Sequence, residues 1–154
     1  MKFQPIALPS FPMKAKQEKR IKHFNELLVE LEEKVLPSEL EKLVQEELEL
    51  IPSKESRRKF LLQLHKSQRR ILYQLEKQMK LVPKRYYMQY YMILGMVILG
   101  APIGSIFIGL FDNGAAFMGA GFGIGLALGI AFGTQKDQTA ASEGRQLNWE
   151  SPGY

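Results

Sequence analysis

Residues 119–133 read GAGFGIGLALGIAFG, and small residues alternate with large apolar ones through most of this stretch. It contains no charged residue and no proline. Alternation is the period of a β-strand, and glycine-rich runs also occur in phosphate-binding loops. A third interpretation is a helix whose small residues let another helix approach closely. The choice among the three decides whether the chain enters a membrane.

The uncharged stretches around it have the length of membrane-spanning helices. Residues 88–111 contain no charged residue, and neither do residues 115–133. A helix needs about 20 apolar residues to cross the hydrocarbon core of a bilayer. Between the two stretches lies Asp112-Asn113-Gly114, three strong turn formers. The pattern predicts spans at about 88–111 and 115–133, joined by a tight turn into a transmembrane helical hairpin.

The two other interpretations are disfavoured. Lipid tolerates strands only in closed barrels, and one alternating segment beside an unalternating run cannot close a barrel. A phosphate-binding loop needs a Gly-Lys pair after its glycines and a surrounding βαβ unit, and the sequence shows neither.

As a helix, the second span carries two rows of small residues on nearly opposite sides, each spaced by four positions. The first row is Gly121, Gly125, Gly129 and Gly133, and the second is Ala115, Gly119, Gly123, Ala127 and Ala131. In lipid, helix association is driven by such close packing. We expect one row to face the first span and the other a second molecule, although the spacing does not say which.

The first span offers small residues for the same packing. Gly100 and Gly104 form one pair, and Ala101, Ser105 and Gly109 form a row beside it. Pro102 lacks a backbone N–H, so a kink is predicted there. We interpret these residues as serving helix packing, with a functional cavity at the kink as the alternative.

The charges around the spans predict their orientation. An aromatic belt of four tyrosines with a basic anchor outside it precedes the first span: Lys84, Arg85, Tyr86, Tyr87, Tyr90 and Tyr91. The turn at 112–114 has one acid and no Lys or Arg, whereas both outer flanks carry Lys and Arg. By the positive-inside rule, both termini are cytoplasmic.

The N-terminal part is predicted to be an extended arm (1–12) followed by a cytoplasmic helical module (13–85). A coiled-coil-like stripe of about two heptads, ended by Pro37, consists of Ile21, Phe24, Leu28, Leu31 and Val35. Ser38 with Glu41 predicts a capping box for a short helix carrying Leu40, Leu43, Val44 and Leu48. A long helix is predicted at about 54–81, with Leu61, Leu64, Leu72, Leu75 and Met79 along one side.

Charge is sorted along these helices. Residues 26–49 contain nine Glu, whereas residues 54–85 contain eleven Lys and Arg. We expect the acidic helices to pack on the basic one, partly through ion pairs. A compatible second interpretation is that the basic helix meets anionic lipid headgroups. Nucleic-acid binding is disfavoured because no recognition module is visible.

The sequence shows no pattern typical of catalysis. There is no Cys, and His23 and His65 lie in separate helical segments without partners at metal-ligand spacing. Nucleophile-elbow, P-loop and paired-carboxylate motifs are also lacking in the sequence. We therefore expect neither an enzyme nor a protein with a cofactor or metal site.

Three motifs carry a resemblance. VPKRYY, LGAPIG and the tail GTQKDQTAASEGRQLNWE, together with the glycine-spaced second span, resemble a group of bacterial glycine-zipper integral membrane proteins. The tail of that group, G-x-x-x-D-x-x-A-x-x-E-G-R-Q-L, is matched by Gly133, Asp137, Ala140, Glu143, Gly144, Arg145, Gln146 and Leu147. The resemblance covers about residues 82–150. It implies an integral bacterial membrane protein and no particular activity. With the two spans and their flanking charges, we expect the chain in the cytoplasmic (inner) membrane.

The hairpin is also similar to the ring-forming c subunit of rotary ATP synthases. That family requires a carboxylate in mid-membrane to carry the ion, and neither span has one. The glycine-rich helix is also the second rather than the first. The ion-carrier hypothesis therefore fails on chemistry.

Together these patterns predict an all-α chain with an arm (1–12), a cytoplasmic helical module (13–85), a transmembrane hairpin (86–135) and a polar cytoplasmic tail (136–154). The favoured function is a membrane scaffold or accessory subunit that self-associates or docks a partner. An oligomeric pore built from several hairpins is the alternative. The predicted partners are the lipid bilayer and further copies or a larger membrane complex, without nucleic acid or small-molecule substrate.

Overall fold

The computed structural model describes residues 3–51, 56–110 and 114–150, which are mostly helical. In chain order the elements are α1 (Ala15–Glu32), α2 (Ser38–Glu49), α3 (Arg57–Met79), β1 (Val82–Lys84), α4 (Tyr86–Gly95), a π-helix (Met96–Gly100), α5 (Ala101–Leu110), α6 (Gly114–Ser142) and β2 (Gln146–Glu150). The two strands pair in a two-stranded sheet, a departure from the expected all-α class. The described residues divide into two compact units, one of residues 3–82 with 147–150 and the other of residues 83–146.

The first unit buries one apolar face of each of its three helices. Its buried side chains include Ile21, Phe24, Leu27, Leu28 and Leu31 from α1, Leu40 and Val44 from α2, and Phe60, Leu64, Ile71 and Leu75 from α3. The predicted α1 stripe is confirmed except at its end. Val35 is 93% exposed, because α1 ends at Glu32 and the helical period no longer applies three residues later.

The predicted capping box of α2 is wrong. Pro37, rather than Ser38, occupies the N-cap position in extended conformation, and it makes no side-chain cap bond. Its carbonyl oxygen accepts hydrogen bonds from the N–H groups of Leu40 (2.9 Å) and Glu41 (3.0 Å). Ser38 is therefore already inside the helix, where its hydroxyl cannot cap the first turn.

α3 is shorter than predicted and is rotated relative to the predicted stripe. Residues 54–55 lie outside the described residues, and the helix ends at Met79 because Lys80 adopts a left-handed conformation with φ 56°. The buried face is centred on Phe60, Leu64 and Ile71, while Leu61, Leu72 and Met79 lie half-buried at its edge.

The core of this unit includes residues from both ends of the chain. Phe3, Leu147 and Trp149 are buried in it. The Asn25 side chain holds the arm by accepting a hydrogen bond from the Ile6 N–H (2.9 Å) and donating one to the Ile6 carbonyl oxygen (3.0 Å). The unit thus includes part of the predicted arm and part of the predicted tail, while its first segment ends at Val82 rather than at residue 85.

The sorted charges are mostly left at the surface. An ion pair joins α2 to α3, in which Nη1 of Arg70 lies 2.7 Å from Oε1 of the buried Glu47. Several other basic side chains of α3 are exposed: Arg57, Arg58, Lys66, Arg69 and Lys77. Among the described residues, the three helices therefore pack mainly through their buried apolar faces.

The second unit contains two helices that are long and apolar enough to cross a membrane, Tyr86–Ile106 and Met118–Ser142. Of the predicted turn, Asp112 and Asn113 lie outside the described residues, and Gly114 is the first residue of α6. α6 continues past the predicted end at Gly133 to Ser142. Charged residues end an apolar span but do not break a helix, and residues 134–142 contain neither glycine nor proline.

Candidate functional site

The first small-residue row of α6 lies against α4, the π-helix and α5. A Cβ atom built on Gly125 would fall within 3.0 Å of the Gly95 carbonyl oxygen, and one built on Gly129 would do so at the Tyr91 carbonyl oxygen. A Cβ on Gly133 would meet the backbone of Met88. Since real Cβ atoms essentially never come that close, only glycine fits these positions at this helix separation.

These contacts have an antiparallel register. Gly133 lies at Met88, Gly125 at Gly95 and Gly100, and Gly121 at Gly100 and Gly104. Residue numbers therefore rise along α6 as they fall along the helix formed by α4, the π-helix and α5. Of the predicted small residues of the first span, Gly100 and Gly104 both face α6, where their Cβ atoms would meet Phe122 at 2.9 Å and Met118 at 3.2 Å.

Gly95 belongs to the same surface, and the spacing of the sequence did not indicate it. Residues five apart on an α-helix are about 140° apart around the axis, so Gly95 and Gly100 should face different ways. The π-helix Met96–Gly100 between them holds an extra residue in its turn, with the Ala101 N–H bonding the Met96 carbonyl five residues back. That extra residue brings Gly95 onto the face of Gly100.

The π-helix ends two residues before Pro102, where the sequence predicted a kink. Pro102 has no N–H for the carbonyl four residues earlier, and its ring crowds that carbonyl in a regular α-helix. A wider turn relieves this crowding. At the position of the predicted kink, the helix therefore contains a π-turn just before Pro102.

The second small-residue row is on the open side of α6. Gly119, Gly123, Ala127 and Ala131 are exposed, and among the described residues no atom lies within 4 Å of a Cβ built on Gly119 or Gly123. The side chain of Ala115 lies outside those described. In α5, Ser105 is exposed and donates to the Ala101 carbonyl oxygen (2.8 Å), and a Cβ built on Gly109 would meet no atom of the described residues within 4 Å.

Asp137 continues the first row one turn beyond Gly133 and is buried. Its Oδ1 accepts a hydrogen bond from the Tyr87 N–H (3.0 Å) and its Oδ2 one from the Met88 N–H (2.9 Å). These are N–H groups of the first turn of α4, which have no partner within their own helix. The N-cap residue Arg85 makes no side-chain cap bond. A carboxylate from α6 thus caps α4, where a negative charge is favourable.

The predicted interface residues lie at this same end of the unit. Tyr86 and Tyr87 form an edge-to-face pair with ring centroids 5.3 Å apart, and Tyr90 and Tyr91 form another at 5.5 Å. Lys136 places its Nζ 6.0 Å from the Tyr87 ring and 5.7 Å from the Tyr91 ring. Lys84 and Arg85 are exposed. The cation–π geometry ties the end of the apolar part of α6 to the tyrosines of α4.

The tail motif closes α6. Gly144 has φ 69°, and the Arg145 N–H donates to the Ala140 carbonyl oxygen (2.8 Å), which is a glycine-based helix cap. The Gln146 side chain donates to the Asp137 carbonyl oxygen (3.5 Å). The hydrogen bond from the Arg145 guanidinium to Glu143 raises the pKa of the guanidinium above its usual value. Ala140 is fully buried. These residues end the helix soon after the capping aspartate.

The arrangement is one of packing and capping. Both carboxylate oxygens of Asp137 are occupied by backbone N–H groups. No three His, Asp or Glu side chains in the part of the chain described come together as metal ligands. His65 is exposed, and His23 stacks on Trp149.

Comparisons with protein-family models, with curated proteins and with solved structures found no match to the chain. What the site does is therefore inferred from its own contacts.

Asp137→Ala is expected to free the first turn of α4. The Tyr87 and Met88 N–H groups lose their acceptor, which costs about 1–2 kcal/mol for a lost helix cap. Hydrogen exchange of these two amides in the reconstituted protein should become about five- to thirty-fold faster. Asp137→Asn keeps one acceptor and should be intermediate, while Gln138→Ala changes an exposed neighbour and should have no effect. Unchanged protection of Tyr87 and Met88 would show that the cap contributes nothing.

Proposed function

We propose that the chain is a non-enzymatic integral membrane scaffold or accessory subunit whose second unit is a transmembrane hairpin with glycine-zipper packing. Two helices of membrane-spanning length support the membrane location. The observation that carries the proposal is the division of α6 into an occupied small-residue row and an open one. The first row packs against the span of its own chain. The second row is the surface through which the protein associates.

Glycines on the open row of α6 destabilise the helix unless another helix packs against them. Each glycine inside a helix costs about 1 kcal/mol relative to alanine, and lipid tails gain nothing from its lack of a side chain. A second helix that packs closely on Gly119, Gly123, Ala127 and Ala131 offsets this cost. A further copy of the chain carries the complementary small-residue surface. Self-association is therefore the simplest use of the row, with a helix of a larger complex as the variant.

The charge distribution supports a location in the bacterial cytoplasmic membrane with both termini in the cytoplasm. The basic residues Lys84 and Arg85 precede the first span, and Lys136 and Arg145 follow the apolar part of the second. Asp112 is the only charged residue between the spans. This asymmetry follows the positive-inside rule.

Ala127→Leu is expected to weaken association without unfolding the hairpin. The added side chain projects from the open row and holds a neighbouring helix away, which costs about 1–2 kcal/mol, or a five- to thirty-fold loss of dimer affinity. Crosslinking between copies in membranes measures the loss. Ile124→Leu, an exposed substitution of equal volume, is the control. If Ala127→Leu crosslinks as well as the control does, the open row is not an association surface.

An oligomeric pore is the second candidate, favoured by the same open row. A lumen lined by glycine backbone and Ser105 would select poorly among ions, since the spans carry no ring of charge. The Ser105 hydroxyl already donates to a backbone carbonyl of its own helix. Conductance of the purified protein in planar bilayers distinguishes a pore from a scaffold.

A further inference from the structure

The outer face of α3 carries two exposed apolar side chains at its centre. Leu62 is 62% exposed and Tyr73 is 60% exposed. At 100° per residue they lie about 20° apart around the helix axis. They are nearly opposite Phe60 and Ile71, which are buried in the core of the first unit. Packing within the described part of the unit therefore does not account for their apolar character.

Basic side chains flank these two residues on both sides. Arg58 and Arg69 lie on one side of the pair and Lys66 and Lys77 on the other, and all four are exposed. None of the four forms an ion pair with a described acidic residue. His65 and a single acid, Glu76, share the face. The face thus combines a positive charge with an apolar centre.

We propose that this face of α3 (Arg58, Leu62, Lys66, Arg69, Tyr73 and Lys77) binds the anionic headgroups of the bilayer, with Leu62 and Tyr73 entering the interfacial layer. Basic residues attract anionic lipid, and apolar and aromatic side chains bury themselves at the headgroup boundary. The inference rests on the proposed membrane location, because the bilayer must be close. Six residues, 80–85, separate α3 from α4, and such a segment reaches about 20 Å at most.

Lipid fits the face better than an acidic protein surface does. The acidic helices of a second copy would match its charge but supply no apolar layer for Leu62 and Tyr73. Each Lys or Arg near an anionic membrane strengthens binding about five-fold, and salt weakens the effect. Two such residues together contribute about twenty-five-fold. This charge dependence makes the proposal testable in the full chain.

The chain has no Cys, so one introduced at Leu62 is a unique attachment site for an environment-sensitive fluorophore. The full-length protein is reconstituted in vesicles of phosphatidylcholine alone or mixed with phosphatidylglycerol, with a headgroup spin label as quencher. We expect a blue-shifted, quenched signal from Leu62→Cys only in the anionic vesicles, reversed by high salt. Val35→Cys, 93% exposed and outside α3, is the control and should respond to neither lipid.

Charge variants test the cause of the signal. Lys66→Gln with Arg69→Gln should weaken the lipid-bound state about twenty-five-fold, whereas Lys66→Arg should retain it. Both side chains are exposed and lie away from the core, and an unchanged circular dichroism spectrum verifies the fold. An equal signal in neutral and anionic vesicles would overturn the proposal. A signal that rises with the protein-to-lipid ratio would also overturn it, by showing that a second copy covers the face.

Extraction with alkaline carbonate separates this inference from the proposed function. If the protein resists extraction but the label at position 62 ignores anionic lipid, the headgroup-binding face is wrong and the membrane scaffold stands. If carbonate releases the protein yet the label still responds to anionic lipid, the integral location is wrong and the face is supported.

Discussion

Gly125→Ala is expected to force the two spans apart, whereas Gly123→Ala is expected to leave them paired. Both substitutions add one methyl group to the same helix, and both gain the same helix propensity. At Gly125 the new Cβ falls on the Gly95 carbonyl oxygen and lies 2.6 Å from the Gly100 nitrogen. At Gly123 the new Cβ meets no atom within 4 Å in the part of the chain that the structure describes. The atoms in the way at Gly125 are backbone, which cannot rotate aside.

The expected cost at Gly125 is therefore at the upper end for overpacking, about 3 kcal/mol. Spin labels on Ile93→Cys and Phe132→Cys, two exposed positions on opposite helices, report the separation of the spans. We expect a longer and broader distance distribution in the Gly125→Ala background and an unchanged one with Gly123→Ala. If the two distributions coincide, the glycine row does not set the separation of the helices.

The two small-residue rows could be predicted because they repeat with the period of a regular helix. Gly121, Gly125, Gly129 and Gly133 need only a constant rotation per residue to share a face. The position of Gly95 on this face could not be predicted, because the π-turn before Pro102 changes the rotation per residue locally. The position of a proline in the sequence does not indicate whether the helix kinks, ends or forms a wider turn there.

The sequence names Asp137 as part of the tail motif but does not predict its role as a helix cap, for a different reason. The first charges after the apolar stretch, at Lys136 and Asp137, predict the start of a polar tail. Loss of hydrophobicity says where a span leaves the apolar layer but not where the helix ends. The spacing of Asp137 from Gly133 continues the buried row, and this was the signal available in the sequence. Its partners, the Tyr87 and Met88 N–H groups, lie about fifty residues earlier in the chain and leave no local pattern.

The boundary of the first unit shows the same limitation over a longer separation. Periodicity indicates which face of α1 is buried but not which segments cover it. Trp149 donates from Nε1 to the His23 carbonyl oxygen (2.8 Å), and its ring stacks on the His23 ring at 4.8 Å. More than a hundred residues separate the two in the chain. No spacing rule connects positions so far apart.

Trp149→Ala is accordingly expected to destabilise the first unit by about 3–5 kcal/mol, the usual cost of deleting a buried aromatic side chain. Trp149 is 4% exposed and belongs to the same core as Phe24 and Leu28. A small domain is stable by only about 5–15 kcal/mol in total. The loss of one residue near the C-terminus therefore removes a large share of the stability of helices near the N-terminus.

Hydrogen exchange of the α1 amides measures this loss in the full-length protein, and an increase of a hundred-fold or more is expected at Leu27, Leu28 and Leu31. Trp149→Phe keeps a ring but loses the N–H donor, so its effect should be smaller. Asn148→Ala, at an exposed neighbouring position, should leave α1 protected. If α1 exchanges equally slowly in Trp149→Ala, helices α1 to α3 are sufficient for their own fold, as the boundary at residue 85 implied. If exchange accelerates, the C-terminal strand is part of the fold, and α1 is stable only once the chain extends as far as Trp149.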